Sequence, residues 1–153
     1  MPHVRTQIRE AVGTLLAASP TTWKRVFETR LAPARDVTPY LMVWFDAETI
    51  GASTIHETPL QEREMSLTIV ARSRVTDGET LEDTLDTMAA EIETTLTDAA
   101  LRSELSNNNV WLTLKSSSSD LQVEDENERI YAQVALDWEV RLFTDENAPE
   151  TIV

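Results

Sequence analysis

The residue types that most often build catalytic and metal sites are sparse in this sequence. It contains only two histidines, His3 and His56, and no cysteine, which excludes thiol nucleophiles and cysteine-ligated zinc. Its three glycines stand alone instead of forming a phosphate-binding loop, and the serine run at 116–119 lacks the glycines of a nucleophile elbow. Carboxylates are so abundant that no pair stands out as an acid/base site. We therefore expect a protein that is not an enzyme and has no cofactor or metal.

Positive and negative charges are segregated along the chain. The chain has a net charge of −14. The first 35 residues have a net charge of +4, and the remaining residues therefore have a net charge of −18. Phosphate binding needs a concentrated positive surface, so nucleic-acid binding is disfavoured. Two interpretations of the acidity stay open. It serves solubility, or it forms a patch that meets the basic N-terminal region of a neighbouring copy.

Length and hydropathy set the broad class. A chain of 153 residues can bury a core as one domain without disulfides. No apolar run approaches the ~18 residues that cross a bilayer, and the N-terminus lacks the apolar segment of a secretory signal. We expect a soluble protein made in the cytoplasm, with no membrane partner.

Helical periodicity predicts two main helices. Apolar residues from Val4 to Leu15 recur at helical spacing, and Ser19-Pro20 ends this amphipathic helix of about four turns. The spacing Thr76-x-x-Glu79 is that of a capping box, and an apolar stripe from Leu81 to Leu96 follows it. Leu101 and Leu105 indicate a short additional turn.

Strand patterns lie on both sides of the second helix. Residues 40–45 are apolar on both faces, and a strand from about Glu62 has Met65, Leu67, Ile69 and Ala71 on one face. Val110–Lys115 alternates, and Ile130–Phe143 alternates over a length that crosses a whole domain. Residues 23–29 indicate a weaker strand near the N-terminus.

The predicted architecture is an α+β domain over residues 1–143. It has an antiparallel-rich sheet of four to five strands, two main helices packed on it, and the order α-(β)-β-β-α-β-β. Residues 46–61 are predicted to be a loop, and residues 144–153 a loose tail. The serine-rich, acidic stretch at 116–128 is an exposed loop or the extended tip of a hairpin.

Contacts between copies are the main functional hypothesis from these patterns. If both helices share one face of the sheet, the other face of residues 40–45 is left bare, and only a second molecule would cover it. Trp44 and Trp138 fit core positions, whereas Trp23 and Trp111 are candidate interface anchors. The candidate interface residues are Arg5, Arg9, Trp23, Lys24, Arg25, Arg30, Arg35, Glu48, Glu57, Trp111, Asp120, Glu124, Asp125, Glu126 and Glu128.

In order, spacing and size, the predicted elements resemble the tail terminator proteins of long-tailed, non-contractile bacteriophages and their prophage relatives. The likeness covers most of the chain. The segments that carry it are the opening helix, the strands PYLMVWF at 39–45 and EMSLTIVA at 64–71, the helix LEDTLDTMAAEI at 81–92, and the closing strand at 131–140.

This resemblance implies an α+β subunit that forms a hexameric ring in the virion, at the head–tail junction. Such a ring sits on the finished tail tube, stops the addition of tube subunits and presents a surface to the head connector. The implied partners are further copies of the chain, the tail tube protein and the head connector or neck proteins, while DNA passes without specific binding. The resemblance carries no catalytic residues. A head-closure or neck role in the same kind of virion, and a small-molecule enzyme of unknown type, are the alternatives.

Overall fold

The fold alternates helices with long antiparallel hairpins. The computed structural model describes residues 1–18, 25–32, 38–53, 59–75, 81–124 and 129–153. In the described residues the elements are α1 Val4–Ala18, β1 Arg25–Phe27, β2 Tyr40–Ser53, β3 Leu60–Val75, α2 Leu81–Thr95, α3 Asp98–Leu105, β4 Val110–Glu124, β5 Arg129–Asp145 and β6 Ala148–Ile152. The predicted α+β class is confirmed, with a third helix and a sixth strand added to the predicted set.

The six strands form one sheet in the order β1-β2-β3-β5-β4, and β6 pairs with the end of β5. The pairs β2/β3, β3/β5 and β4/β5 are antiparallel, whereas the short β1 runs parallel to β2. β3 and β5 lie in the middle, which explains their continuous apolar alternation. β4 forms one edge of the sheet. The other edge is formed by β1 where it pairs with residues 40–42 of β2 and, beyond that, by the rest of β2.

One face of the sheet carries all three helices and the main core. The predicted inward stripe of β5 from Ala132 to Leu142 is buried there, together with Leu67 and Ile69 of β3. The helices contribute residues at helical spacing, such as Ile8 and Met88, which are fully buried. Burying a side chain of this size contributes about 1.5–3 kcal/mol. This packing sets the positions of the side chains at the margin of the core.

The opposite face of β2 is not bare, which corrects the expectation from the sequence. Tyr40 is 3% exposed and Met42 8%, and they pack with Val70 in a second cluster. Phe27 of β1 meets the Tyr40 ring edge-on, with the ring centroids 5.8 Å apart. Side chains from neighbouring strands therefore bury this face within one chain, and a second molecule is not needed to cover it.

Strands β2 and β4 each continue past a β-bulge and are therefore longer than predicted. The β2/β3 register shifts between Phe45 and Ala47, and the β4/β5 register shifts between Leu114 and Ser116. A bulge reverses the inward and outward alternation, so the pattern no longer reads as one strand. Residues 46–53, predicted as loop, belong to β2. Residues 116–124 belong to β4, which confirms the hairpin alternative for that stretch.

A row of polar side chains joins the two bulges across the sheet. Trp44 Nε1 donates to Asp46 Oδ1 (2.8 Å), and Ser116 Oγ donates to Asp137 Oδ2 (3.1 Å). Between them, Thr68 Oγ1 lies 2.6 Å from Asp46 Oδ2 and 2.8 Å from Asp137 Oδ1. A hydroxyl has one hydrogen, so Thr68 donates to one of these carboxylates at a time. The row links strands β2, β3, β5 and β4 at the level where both edge strands bend.

The C-terminal residues form a strand, in contrast to the loose tail expected from their polarity. β5 continues to Asp145, and the β6 backbone is held at Val153, whose amide donates to Phe143 O (2.9 Å). Gln7 Nε2 donates to Glu150 O (2.7 Å) and so ties β6 to α1. These partners are far away in sequence, and local composition does not reveal them.

Other features follow from local sequence. α3 begins after Thr97, whose Oγ1 accepts a hydrogen bond from the Ala100 amide (3.1 Å), and it ends at Ser106 in the left-handed conformation.

The predicted capping box at Thr76 lies outside the described residues. Within the described ranges, none of the three helices has the length and apolar character needed to cross a membrane.

Candidate functional site

A buried arginine lies at the margin of the core, where β2, β3 and the start of α1 meet. Arg63 is 4% exposed, and each part of its guanidinium has a partner. Nη1 donates to Glu48 Oε1 (2.6 Å), Nε to Thr144 Oγ1 (2.9 Å) and Nη2 to Gln61 Oε1 (3.0 Å). A buried charge is tolerated only when it is paired and hydrogen-bonded, and both conditions hold here.

Glu48 connects this buried group to the helix. Its second oxygen lies 3.6 Å from Arg5 Nε, and the Arg5 side chain is half exposed. His3 lies beside them, and its Nδ1 accepts a hydrogen bond from the Arg5 amide (3.2 Å). Burial lowers the pKa of His3 below its ordinary value, against the opposing pull of the Glu48 charge. Glu48 thus pairs with two arginines, one inside the protein and one at its surface, and its single charge offsets only one of them.

A second ion pair lies one helical turn further along α1. Arg9 Nε is 3.5 Å from Glu28 Oε2. This nitrogen is buried and makes no hydrogen bond with the described residues. Gly13 makes room for the glutamate, because a Cβ at that position would lie 2.6 Å from Glu28 Oε1. A glycine inside a helix costs about 1 kcal/mol relative to alanine, and the close approach of Glu28 accounts for it here.

These groups line a notch of ≈ 380 Å³ between α1, the residues after β1 and the side of β2. Three arginines and one glutamate contribute charge to the lining, so the notch is positive in a chain whose net charge is −14. The first turn of α1 contains no acidic residue that would offset this charge. The lining residues are His3, Arg5, Thr6, Arg9, Glu28, Thr29, Arg30, Trp44 and Phe45.

The notch opens at a sheet edge that is only partly covered. β1 pairs with β2 at residues 40–42 only, and the Arg30 guanidinium donates to Phe45 O just beyond it. From Asp46 to Ser53, β2 has no strand on that side among the described residues. Ile50 lies on the helix side of this open stretch, because it pairs with Arg63, and it is 51% exposed.

The opposite edge of the sheet has the same arrangement. Asp98 Oδ1 of α3 accepts from the Leu112 amide (2.8 Å), and Arg102 Nε donates to Val110 O (2.7 Å). These two side chains block the first part of β4. Residues 115–121 are exposed, and no described strand pairs with that side of β4. Leu121 lies on the helix side and is 51% exposed.

The structure brings four of the candidate interface residues together. Arg5, Arg9, Arg30 and Glu48 surround the N-terminal half of α1, and Arg5 and Arg9 already pair with glutamates of the same chain. Arg25 is exposed on β1 and does not line the notch. Those that lie outside the described residues are Trp23, Lys24, Arg35, Glu57, Asp125, Glu126 and Glu128.

The remaining candidates are spread along β4. Trp111 is 40% exposed at the start of the strand, edge-on to Phe143, and lies beneath the Arg102 guanidinium. Asp120 is exposed, and its Oδ1 accepts from the Leu121 amide (2.8 Å), while Glu124 is the last residue of β4. They do not converge on one site within the chain.

Sequence reasoning missed Arg63, Glu28 and Gly13. The signal for Arg63 was available, because it continues the inward stripe of Met65 and Leu67, and a charged residue in such a stripe indicates a buried ion pair. Glu28 and Gly13 gave no local signal, since their contact joins the residues after β1 to α1. In the described part of the chain, no three His, Cys, Asp or Glu residues are grouped closely enough to hold a metal ion.

Comparisons with known proteins assign neither a family nor a function to this chain. No protein-family model matches the chain, and no curated protein is significantly similar to it. Among solved structures, it is similar to a chain in the virion of a native gene transfer agent (GTA) particle, with 13% sequence identity and a TM-score of 0.45. That alignment covers 87% of this chain and 93% of the other. A likeness at this level assigns no function.

Proposed function

We propose that the chain is a structural protein of a phage-like virion. It assembles into a closed ring that caps a tail tube, ends tube growth and offers the surface to which the head attaches. The resemblance of its elements to tail terminator proteins suggests this role. The observation in the molecule that supports it is an open sheet with two unlike edges, on β2 and β4. Among the described residues, part of each edge is covered and part has no neighbouring strand.

Free edges at opposite sides of one sheet favour head-to-tail assembly. An exposed edge offers unpaired backbone amides and carbonyls that pair readily with a strand of another molecule. If β4 of one copy meets β2 of the next, the contact uses two different surfaces, and repeated contacts close into a ring when the rotation permits. This differs from a two-fold dimer, in which one surface meets itself.

Strand directions agree with such a ring. Three antiparallel steps separate β2 from β4, so the two edge strands run in opposite directions within one copy. Rotation about a ring axis roughly along the strands leaves each direction unchanged, and β4 therefore runs antiparallel to β2 of the next copy. The exposed Ile50 and Leu121 both lie on the helix side of their strands, at different levels: Ile50 is level with Leu142 of β5, and Leu121 with Ala132.

Tube length in an assembly reaction tests the role. Purified tube protein should polymerise to tubes of shorter and narrower length distribution when the chain is added, and capped tubes should bind purified heads. The variant Ser117→Lys/Ser119→Lys places charges on the open part of β4 and should abolish capping. Ser117→Ala/Ser119→Ala is the matched control and should cap normally. Unchanged tube lengths with wild-type protein would contradict the proposal, and binding to heads but not tubes would indicate a neck role instead.

A further inference from the structure

We propose that the second half of β4 pairs with β1 of the adjacent copy, with Asp120 directly opposite Arg25. This contact rests on the ring proposed above, and it names the strands and the charges that meet there. The occupant of each edge is a second copy of the chain, so the sheet continues from one molecule into the next.

Arg25 and Asp120 are the two ends of one row of residues that crosses the sheet. Each member of the row is the register partner of the next, and the members are Arg25, Tyr40, Arg72, Gln133 and Asp120. Register partners point to the same face of a sheet, and Tyr40 belongs to the cluster on the face opposite the helices. Arg25 and Asp120 are both exposed. The two edges therefore carry opposite charges at the same level and on the same face.

A closed ring brings equal levels together. Rotation about an axis along the strands moves a residue around the ring without moving it along the strand, so β4 meets the next copy at its own level. Across the sheet, Ser119 is level with Val26 and Ser118 with Phe27, so β1 is the strand that β4 meets. Because β1 runs parallel to β2, it runs antiparallel to β4 of its neighbour.

The open part of β4 directs the backbone of Ser119 outward. Along an edge strand, residues that bond to the inner neighbour alternate with residues whose N–H and C=O point out of the sheet. Val110 O and the Leu112 amide point outward, because both bond to side chains of α3. The bulge after Leu114 shifts this alternation by one residue. Beyond the bulge, the outward residues are Ser117, Ser119 and Leu121.

On β1 the residue with outward backbone groups is Val26. Phe45 O points away from β3, because it accepts a hydrogen bond from Arg30, and the same alternation directs the groups of Leu41 to β1. In a parallel pair, such a residue bonds to the two residues that flank its register partner. Val26, the partner of Leu41, therefore keeps its N–H and C=O on the outer side, level with those of Ser119.

This register makes Arg25 and Asp120 a closely spaced pair. Val26 and Ser119 form the hydrogen-bonded pair, and in an antiparallel ladder the adjacent pair has Cα atoms only about 4.5 Å apart. Opposite charges in such a position favour the pairing, whereas like charges oppose it. Backbone direction, backbone polarity and charge thus select the same register.

The open part of β2 has no open strand opposite it at its own level. Thr49 is level with Trp111 across the sheet, and side chains of α3 occupy the edge of β4 there. Pairing the open part of β2 with the second half of β4 would shift each copy along the strands. In this orientation a repeated shift gives an open helix instead of a closed ring.

Disulfide cross-linking tests the register, because the chain contains no cysteine of its own. On mild oxidation, Arg25→Cys/Asp120→Cys should give a ladder of linked chains that ends at the closed ring. The two positions are at opposite edges of one sheet, so the bond forms between copies. Ile50→Cys/Leu121→Cys is the matched pair for the shifted contact and should stay at the mass of one chain. Linking of this second pair in place of the first would overturn the inference.

Charge reversal tests the ion pair. Asp120→Lys should lower the association constant about fivefold, because like charges then face each other, and adding Arg25→Glu to the same chain should restore it. Glu82→Lys makes the same change of net charge on α2, which packs on the middle strands, and should associate as wild type does. Equal weakening by Asp120→Lys and Glu82→Lys would contradict the pairing. Circular dichroism should show that every variant is folded.

The ring and its register fail in different ways. Sedimentation velocity of wild type reports on the ring, and the cysteine pairs report on the register. If wild type forms rings while Arg25→Cys/Asp120→Cys stays at the mass of one chain, the register is wrong and the ring stands. If wild type forms no ring, a mixture of the single variants Arg25→Cys and Asp120→Cys should still give a mixed two-chain product. Its absence would overturn the contact together with the ring.

Discussion

Two glutamate–arginine pairs beside α1 have the same chemistry but different surroundings. Arg63 and Glu48 are enclosed where the sheet meets the core, and every nitrogen of Arg63 has a partner. Arg9 and Glu28 are each about one third exposed, and their contact is longer, at 3.5 Å. The difference teaches that burial decides how much stability is lost when one partner of such a pair is removed. The buried pair is fully hydrogen-bonded, whereas in the exposed pair Arg9 Nε makes no hydrogen bond with the described residues.

The largest expected effect is on the buried pair. Glu48→Gln removes the charge that neutralises Arg63 and should lower the free energy of unfolding by about 3–5 kcal/mol. Urea denaturation followed by circular dichroism measures it. The matched change Glu28→Gln should cost less than about 1 kcal/mol, because an exposed pair is screened by water. Similar losses for the two variants would mean that burial does not distinguish them.

The second-largest loss of stability is expected at Thr144, whose hydroxyl accepts a hydrogen bond from Arg63 Nε. Thr144 is fully buried, and Thr144→Val keeps its shape while leaving that N–H without an acceptor. An unsatisfied buried donor costs about 1–3 kcal/mol, so the urea midpoint should fall with an unchanged slope. Thr113→Val, at an exposed position on β4, is the control and should change the midpoint little. A neutral result at Thr144 would show that water replaces the hydroxyl.

A smaller effect is expected at Gly13, where α1 meets the notch. In Gly13→Ala the new methyl group displaces the Glu28 carboxylate, which is the flexible end of its side chain. The helix gains up to about 1 kcal/mol from alanine, so stability should stay equal or rise slightly. Gly51→Ala, in open space on β2, is the comparison. A loss of more than about 1 kcal/mol at Gly13 would mean that Glu28 is held rigidly and supports the fold.

The smallest effect is the pH dependence from His3. Burial lowers its pKa in the folded state, so the unfolded chain binds the proton more readily, and the contribution of neutral His3 is present above its unfolded pKa. This contribution is lost as the pH falls through the unfolded and then the folded pKa. The free energy of unfolding of His3→Gln should therefore decrease less than that of wild type between neutral and mildly acidic pH. If the free energy of unfolding of the variant fell more steeply than that of wild type, the pKa of His3 would not be lowered in the folded state.

Sequence periodicity predicted the regular parts of the fold because their packing is regular. α1 and β5 keep one apolar stripe from end to end, and the structure has them close to the predicted limits. The ends of β2 and β4 were missed because the bulges after Phe45 and Leu114 reverse the alternation. β6 was missed because the atoms that hold it, at Phe143 and on Gln7, belong to other elements.

The candidate site was less predictable than the fold. Four of the candidate interface residues, Arg5, Arg9, Arg30 and Glu48, lie close together, but their partners within the chain were not predicted, since ion pairs between distant residues leave no spacing in the sequence. The open edges depend on strand order, which is a property of the whole sheet. The expected bare face on β2 was wrong, because Phe27, Val70 and their neighbours cover it.

Sedimentation velocity over a range of protein and salt concentrations tests the central claim most directly. A head-to-tail ring predicts one closed species at a multiple of the 17.2 kDa chain, six copies by the tail terminator resemblance, with few intermediates and dissociation as salt screens the contacts. Single chains at every concentration, or a dimer that does not grow or close, would contradict it.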